Sequence, residues 1–302
     1  RFIRFGKISS CGSKLRDSNS YLRSKSSMKK RFVHFVSSLF PSVFARIAYE
    51  KLTHPQVHKL RENELTTLAK AKQEDFDYEG FKIKTYAWNE DGSKEALLLI
   101  HGWEGQAGNF SDLVEELIKA DYRIYAFDGP SHGMSSKGST SLFEFIDLVH
   151  VLIQKYEVRN LVSHSFGGVA TTYVLSTNPT LEIDKYLLFT TPDKFSQRID
   201  FVAESVGVSP KVKHKLIERL EKELDMKVPD LNVSDWVKTV NVKEPLILHD
   251  EHDGVLPYSQ SLNVHNNWKG SRLETVHGTG HFRILRTQAV LDRVVDFFEE
   301  RQ

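Results

Sequence analysis

The stretch Leu161-Val-Ser-His-Ser-Phe-Gly-Gly168 decides how this chain folds. An apolar run containing a β-branched residue leads into Ser165, and after one phenylalanine two glycines follow. Val169-Ala-Thr-Thr-Tyr-Val-Leu175 then continues as a helix. A strand that turns sharply into a helix, with a serine at the corner, has the form of a nucleophile elbow. The tight turn strains the serine backbone and lifts its hydroxyl above the sheet edge. Gly167 and Gly168 allow the helix to pass close to the strand.

Outward from this corner the chain alternates short apolar runs with amphipathic segments. Phe81-Lys-Ile-Lys-Thr-Tyr-Ala-Trp88 alternates apolar and polar residues, as a half-buried strand does. Ala96-Leu-Leu-Leu-Ile100 is continuously apolar and suits a strand buried on both faces. Further strands are expected over Arg123–Phe127, Asn160–Ser163, Lys185–Phe189, Leu246–His249 and Arg272–Val276. Helices are expected over Asp112–Ala120, Leu142–Tyr156, Phe166–Thr177, Tyr258–Asn266 and Ile284–Glu300. Such alternation predicts an α/β fold, a doubly wound and mostly parallel sheet with right-handed crossovers. The rhythm breaks from Asp193 to Val240, which reads mostly helical and is too long for a strand-to-helix loop. A small helical cap over about 193–240, inserted before the strand at Leu246, is expected there.

The N-terminal quarter of the chain is different. Residues 1–27 hold seven Lys/Arg, eight Ser and one acid, Asp17. That composition buries little apolar surface and predicts disorder. A vector-derived stretch, a mis-set start before Met28, or an organelle leader would each look this way. Residues 28–77 are expected to be a helical segment: an apolar helix at Phe32–Phe40, then Ser42–Leu52 and Arg61–Lys72. The main domain would run from residue 78 to residue 302.

Composition narrows the function classes. The chain has 302 residues, 40% apolar content and a net charge of +1, so no basic face calls for nucleic acid. One cysteine, Cys11, rules out an intrachain disulfide and a cysteine-rich metal site, and fits a reducing, cytoplasmic setting. No run of 18 apolar residues predicts a transmembrane helix, so stable membrane insertion is not expected; weak membrane contact through the N-terminal segment, or delivery to an organelle, are the alternatives. No G-x-G-x-x-G motif is present, and no H-x-x-x-H pair or histidine-carboxylate cluster suggests a metal, so neither a cofactor nor a metal is expected. Oligomeric state is not legible.

A serine hydroxyl needs a base, and the base needs an orienting acid. In a doubly wound sheet these groups gather at the carboxyl ends of the strands. Ser165 ends the strand at Asn160. Asp253 follows Leu246-Ile-Leu-His249, within Asp250-Glu-His-Asp-Gly-Val-Leu-Pro257. His281 follows Arg272–Val276, within His277-Gly-Thr-Gly-His-Phe282. The backbone amides of Phe166, directly after the serine, and of Trp103, in the glycine-bearing loop His101-Gly-Trp-Glu-Gly105, are candidate oxyanion donors. Trp103 and Phe110 are candidate apolar walls for a small-molecule substrate.

Together these motifs resemble the α/β-hydrolase-fold serine hydrolases, from about Glu79 to the C-terminus. The carrying residues are His101-Gly-Trp, Asp128-Gly-Pro-Ser-His-Gly133, Ser163-His-Ser-Phe-Gly-Gly168, Asp253-Gly-Val-Leu-Pro257 and Gly280-His281. The order Ser, Asp, His is also the family's. The resemblance implies hydrolysis of an ester, thioester or amide without a metal or cofactor. It favours Asp253 over Asp250 or Asp193 as the acid and His281 over His277 as the base. It makes the Asp128 loop, with His132, structural, while His101 and His164 read as packing or loop-bonding histidines. Acyltransferase or lyase chemistry on the same fold, and ligand binding without catalysis, stay open. One departure stands out: the family's G-x-S-x-G begins here with Ser163. Serine is small, so the elbow should still form.

Overall fold

The computed structural model describes residues 28–300; the leader expected over 1–27 lies outside them. The helices are α1 (Met28–Leu39), α2 (Pro41–Thr53), α3 (Glu62–Ala69), α4 (Ser111–Lys119), α5 (Leu142–Lys155), α6 (Phe166–Thr177), α7 (Phe195–Val206), α8 (Pro210–Leu224), α9 (Val233–Trp236), α10 (Tyr258–Asn267), α11 (Gly280–Arg283) and α12 (Gln288–Glu299). The strands are β1 (Lys72–Tyr78), β2 (Phe81–Trp88), β3 (Ala96–Ile100), β4 (Arg123–Phe127), β5 (Asn160–His164), β6 (Ile183–Phe189), β7 (Val242–Asp250) and β8 (Arg272–Val276).

Among the described residues these strands form one 8-stranded sheet in the order β1-β2-β4-β3-β5-β6-β7-β8. β2 runs antiparallel to β1 and β4, and every other pairing is parallel. Parallel pairing requires crossovers, and crossover helices cover both faces, so the central strands are apolar on both sides. β3 shows this directly. Leu97 and Leu99 join a core with Leu113, Val114 and Leu117 of α4 and Val294, Phe297 and Phe298 of α12. Leu98 and Ile100 face the other way, towards Phe145, Val149 and Leu152 of α5 and Ala170 and Val174 of α6. The result is an α/β-hydrolase fold whose parallel strands all end at one edge of the sheet.

β1 is a strand where the sequence reading has the helical segment 28–77 continuing. Its residues Lys72-Gln-Glu-Asp-Phe-Asp-Tyr78 are mostly exposed and lack apolar alternation. It forms through its backbone ladder with β2, from Lys72↔Ala87 to Tyr78↔Phe81. Its charged side chains keep a sheet edge from pairing with other chains. The C-terminal helix is likewise shorter than expected, because α11 takes Gly280–Arg283 and α12 begins only at Gln288.

The described residues group into two compact units, one of 49–196 with 224–300 and one of 28–48 with 197–223. The first holds the sheet and its flanking helices. At its edge the insertion between β6 and β7 is closed by a bridge between Lys194 and Asn232 and by the Phe195 amide donating to the Leu231 carbonyl (3.1 Å). In the second unit α1 is fixed to the turn before α8 by the Ser209 amide, which donates to the buried Ser37 Oγ at 2.9 Å. No single helix among the described residues is long and apolar enough to cross a membrane.

Phe297 is fully buried between α12 and the sheet. Phe297→Ala is expected to cost about 3–5 kcal/mol. Urea titration checks this: the midpoint falls while the slope m stays constant. A midpoint within error of the parent chain would contradict the packing described.

Candidate active site

Ser165 follows β5 directly and caps α6, with φ +54° and ψ −121°. A side chain is normally excluded from this backbone region, and holding it there costs about 1–3 kcal/mol. Close packing enforces it. A Cβ on Gly167 would lie 2.5 Å from the Ile100 carbonyl oxygen and 2.6 Å from that of His101. A Cβ on Gly102 would lie 3.0 Å from the Ser165 Cβ, so the loop after β3 passes right beside the serine. Ser163, where the family pattern has glycine, is fully buried, and its Oγ is 2.7 Å from the Tyr186 hydroxyl. Burial pushes the Tyr186 pKa up to about 12, so that phenol stays neutral. The pair satisfies the extra hydroxyl and leaves the corner intact.

Three strand ends bring the polar groups together. The His281 ring donates from Nδ1 to Asp253 Oδ2 at 2.8 Å. That leaves Nε2 as an acceptor, and the Ser165 hydroxyl donates to it at 3.2 Å. The Asp253 side chain is fully buried. Its Oδ1 accepts the amides of Val255 (2.6 Å) and Leu256 (3.0 Å). Burial would raise its pKa, but hydrogen bonds with His249 and His281 and the Leu256 amide outweigh that and hold it well below the usual carboxylate range. Thr190, at the end of β6, adds a donor 3.3 Å from Asp253 Oδ2.

Asp250 stands three residues earlier and does something different. Its Oδ2 accepts from the Thr279 amide, the Thr279 hydroxyl (2.9 Å) and the Gly280 amide (2.6 Å). Its Oδ1 accepts from the His252 amide at 2.9 Å. One carboxylate therefore ties the loop that carries Asp253 to the loop that carries His281. Burial opposes its charge, yet these donors win and lower its pKa to about 2.

The remaining candidates are placed elsewhere. Asp193 accepts the Ser234 amide (2.8 Å) and the Asn263 side chain, anchoring α9 to α10. His277 is exposed and pairs with Glu251 at 2.9 Å. His101 accepts the Gly129 amide (2.9 Å), and His132 accepts the Glu104 amide (3.2 Å). Both are buried, which pushes their pKa values down, that of His132 to about 2. Asp128 accepts the amides of Ala107 (2.8 Å) and Met134 (2.7 Å) and the Tyr86 hydroxyl (3.0 Å), so its loop is a structural clasp. His164 is buried, which together with the neighbouring His281 ring holds its pKa down to about 3, and it donates to the His281 carbonyl at 2.9 Å.

Trp103 packs edge-on against the Phe166 ring, 5.6 Å between centroids. Phe110 is a correction to the sequence reading: it is no substrate wall. It ends the short turn Ala107–Phe110 with its ring fully buried among Leu68, Trp88 and Leu113, on the face of the sheet away from Phe166. An apolar recess that includes Phe166, the residue after Ser165, is lined by Leu142, Phe143, Ile146, Phe166, Val169, Tyr173, Phe195, Leu231 and Trp236. Among the described residues, no group of three or more His, Cys, Asp or Glu is arranged to hold a metal ion.

The comparisons with known proteins agree with this fold. Residues 97–293 match the model of the alpha/beta hydrolase family. A probable serine hydrolase of Drosophila melanogaster is 35% identical over 105 residues, covering 32% of this chain and 31% of its own length. A pimeloyl-[acyl-carrier protein] methyl ester esterase of Aliivibrio salmonicida is 26% identical over 168 residues, covering 53% of this chain and 58% of its own. The chain thus spans about a third and a little over half of these two relatives. A solved esterase of Pyrococcus furiosus has a TM-score of 0.59 at 18% identity, covering 82% of this chain and 97% of that one. With the family match running from β3 into α12, the chain belongs to the alpha/beta hydrolase family.

Proposed function

We propose that the protein is a serine hydrolase that cleaves a carboxylic ester, or a related thioester or amide, through an acyl-enzyme on Ser165. The observation that carries this reading is the unbroken chain of hydrogen bonds from the Ser165 hydroxyl to His281 (3.2 Å) and from His281 to Asp253 (2.8 Å). In the reaction Nε2 of His281 takes the Ser165 proton as Oγ attacks the substrate carbonyl. Asp253 keeps the imidazole in the tautomer that presents Nε2 and stabilises the cation that forms. The amides of Trp103 and Phe166 receive the negative charge on the carbonyl oxygen. His281 then gives its proton to the leaving group, activates a water, and releases the acid by the reverse sequence.

The recess beside Phe166 supports an apolar acyl group of small or medium size. It has no polar lining side chain besides the hydroxyl of Tyr173 and the indole N–H of Trp236. The names of the relatives, among them a methyl ester esterase, favour an ester as the bond cleaved. A soluble, cytoplasmic setting remains a proposal that rests on the single cysteine.

Ser165→Ala is expected to lower kcat/KM on p-nitrophenyl butyrate by about 10⁴-fold or more, and His281→Ala by a similar factor. Combining the two should cost little beyond either alone, because the groups act as one unit. A Ser165→Ala chain that retains its esterase rate would overturn the reading.

Asp250 is a positioning residue in this account. Asp250→Asn should lower kcat by about 10- to 100-fold with KM nearly unchanged, since the substrate pocket is untouched while the Asp253 and His281 loops loosen. Its depressed pKa has a second consequence. The stabilisation it provides is complete above the ordinary value of 3.8 and is lost as pH falls towards about 2. Urea titrations near neutral pH and at about pH 3 should show a smaller acid loss in Asp250→Asn than in the parent. An identical acid loss would exclude this role.

A further inference from the structure

We propose that α1 and the first turns of α2 form an interfacial anchor that docks on an anionic lipid surface. The first observation is an inverted helix. In α1, Met28, Phe32, Phe35 and Leu39 follow the i, i+4, i+7, i+11 spacing of one face. That face is turned to solvent: Phe32 is 69% exposed, Phe35 63% and Leu39 58%. The face packed into the unit is the opposite, polar one, where Ser37 is 0% exposed and bonded to the Ser209 amide. Phe40, Val43 and Ile47 continue the exposed apolar surface onto α2, whose Ala45 on the opposite face is buried. Half of the large apolar side chains that are exposed among the described residues fall between Met28 and Ile47. A concentration of this kind marks an interaction surface.

The second observation selects the occupant. Residues 28–53 contain five Lys/Arg and one acid, a charge of +4, whereas residues 54–302 carry −9. Lys29, Lys30 and Arg31 stand within α1 itself. Pairing two copies through this face would set two strongly positive segments against each other. Nucleic acid would leave the Phe and Leu stripe in water. An anionic bilayer answers both features at once: the acyl boundary takes the apolar stripe and the headgroups neutralise the lysines.

The helices lie on the bilayer instead of crossing it. α1 has 12 residues and α2 has 13, and they meet at a bend of 113°. At 1.5 Å per residue each is roughly 18–20 Å long, short of a hydrocarbon core of about 30 Å.

The test is co-sedimentation of the full chain with phosphatidylcholine vesicles, with and without one third phosphatidylglycerol. Binding is expected to the anionic vesicles only, and to weaken about tenfold or more from low to high salt. Phe32→Glu with Phe35→Glu should reduce it by about 100-fold, and Phe32→Ala with Phe35→Ala by about tenfold. Both double variants should keep the circular dichroism spectrum and the rate on a soluble ester, because both rings are mostly exposed and lie outside the candidate active site. The proposal is overturned if the parent chain ignores anionic vesicles. It is equally overturned if both double variants bind like the parent, or if the parent is a dimer that these substitutions dissociate without any vesicle binding.

Discussion

Ser165 is held at φ +54° because the backbone around it leaves no alternative. The start of α6 lies against the carbonyls of Ile100 and His101, close enough that only glycine fits at position 167. That contact in turn requires β3 and β5 to be adjacent and parallel, which they are from Leu97↔Asn160 to Ile100↔Ser163. The strain at one residue is thus sustained by the fully buried strands on either side of it. The same parallel arrangement places the ends of β6, β7 and β8 along one edge, where Thr190, Asp253 and His281 can reach each other.

The two carboxylates at the end of β7 and in the loop after it divide the electrostatic work. Asp253 faces the imidazole, and Asp250 faces backbone and hydroxyl donors of the loop after β8. Both are buried anions, and a buried anion is tolerated only when donors surround it. Each therefore selects one loop conformation. His249 extends the pattern, because its ring lies 3.5 Å from Asp253 and is fixed by Ser261 (2.7 Å) and the Leu256 carbonyl (3.1 Å). The His281 ring is positioned by a network of bonds that reaches from the end of β6 to α10.

Much of this was legible in the residue pattern, and the reasons differ from place to place. The central strands read clearly because burial on both faces leaves an unbroken apolar run, as in Ala96–Ile100. The elbow read clearly because a serine at the end of such a run, with two glycines at the second and third positions after it, has few other uses. β1 was hidden because an edge strand of Lys, Gln, Glu and Asp forms through backbone bonds that no side-chain pattern reports. Phe110 misled because proximity in sequence to the His101-Gly-Trp loop says nothing about the direction in which a short helical turn aims its ring. The work of Asp250 was out of reach as well. Its partners Thr279 and Gly280 lie 29 and 30 residues away, and only the pairing of β7 with β8 brings them together. The recess walls come from α5, α6, the start of α7, Leu231 and α9, which no local motif connects.

The central claim is that Ser165 is the nucleophile, and covalent capture tests it most directly. The full chain is treated with a fluorophosphonate and its peptides are mapped by mass spectrometry. The account predicts a single adduct on Ser165, formed quickly in the parent and lost when His281 is replaced by alanine. An unlabelled parent chain, or an adduct on a different serine, would contradict it.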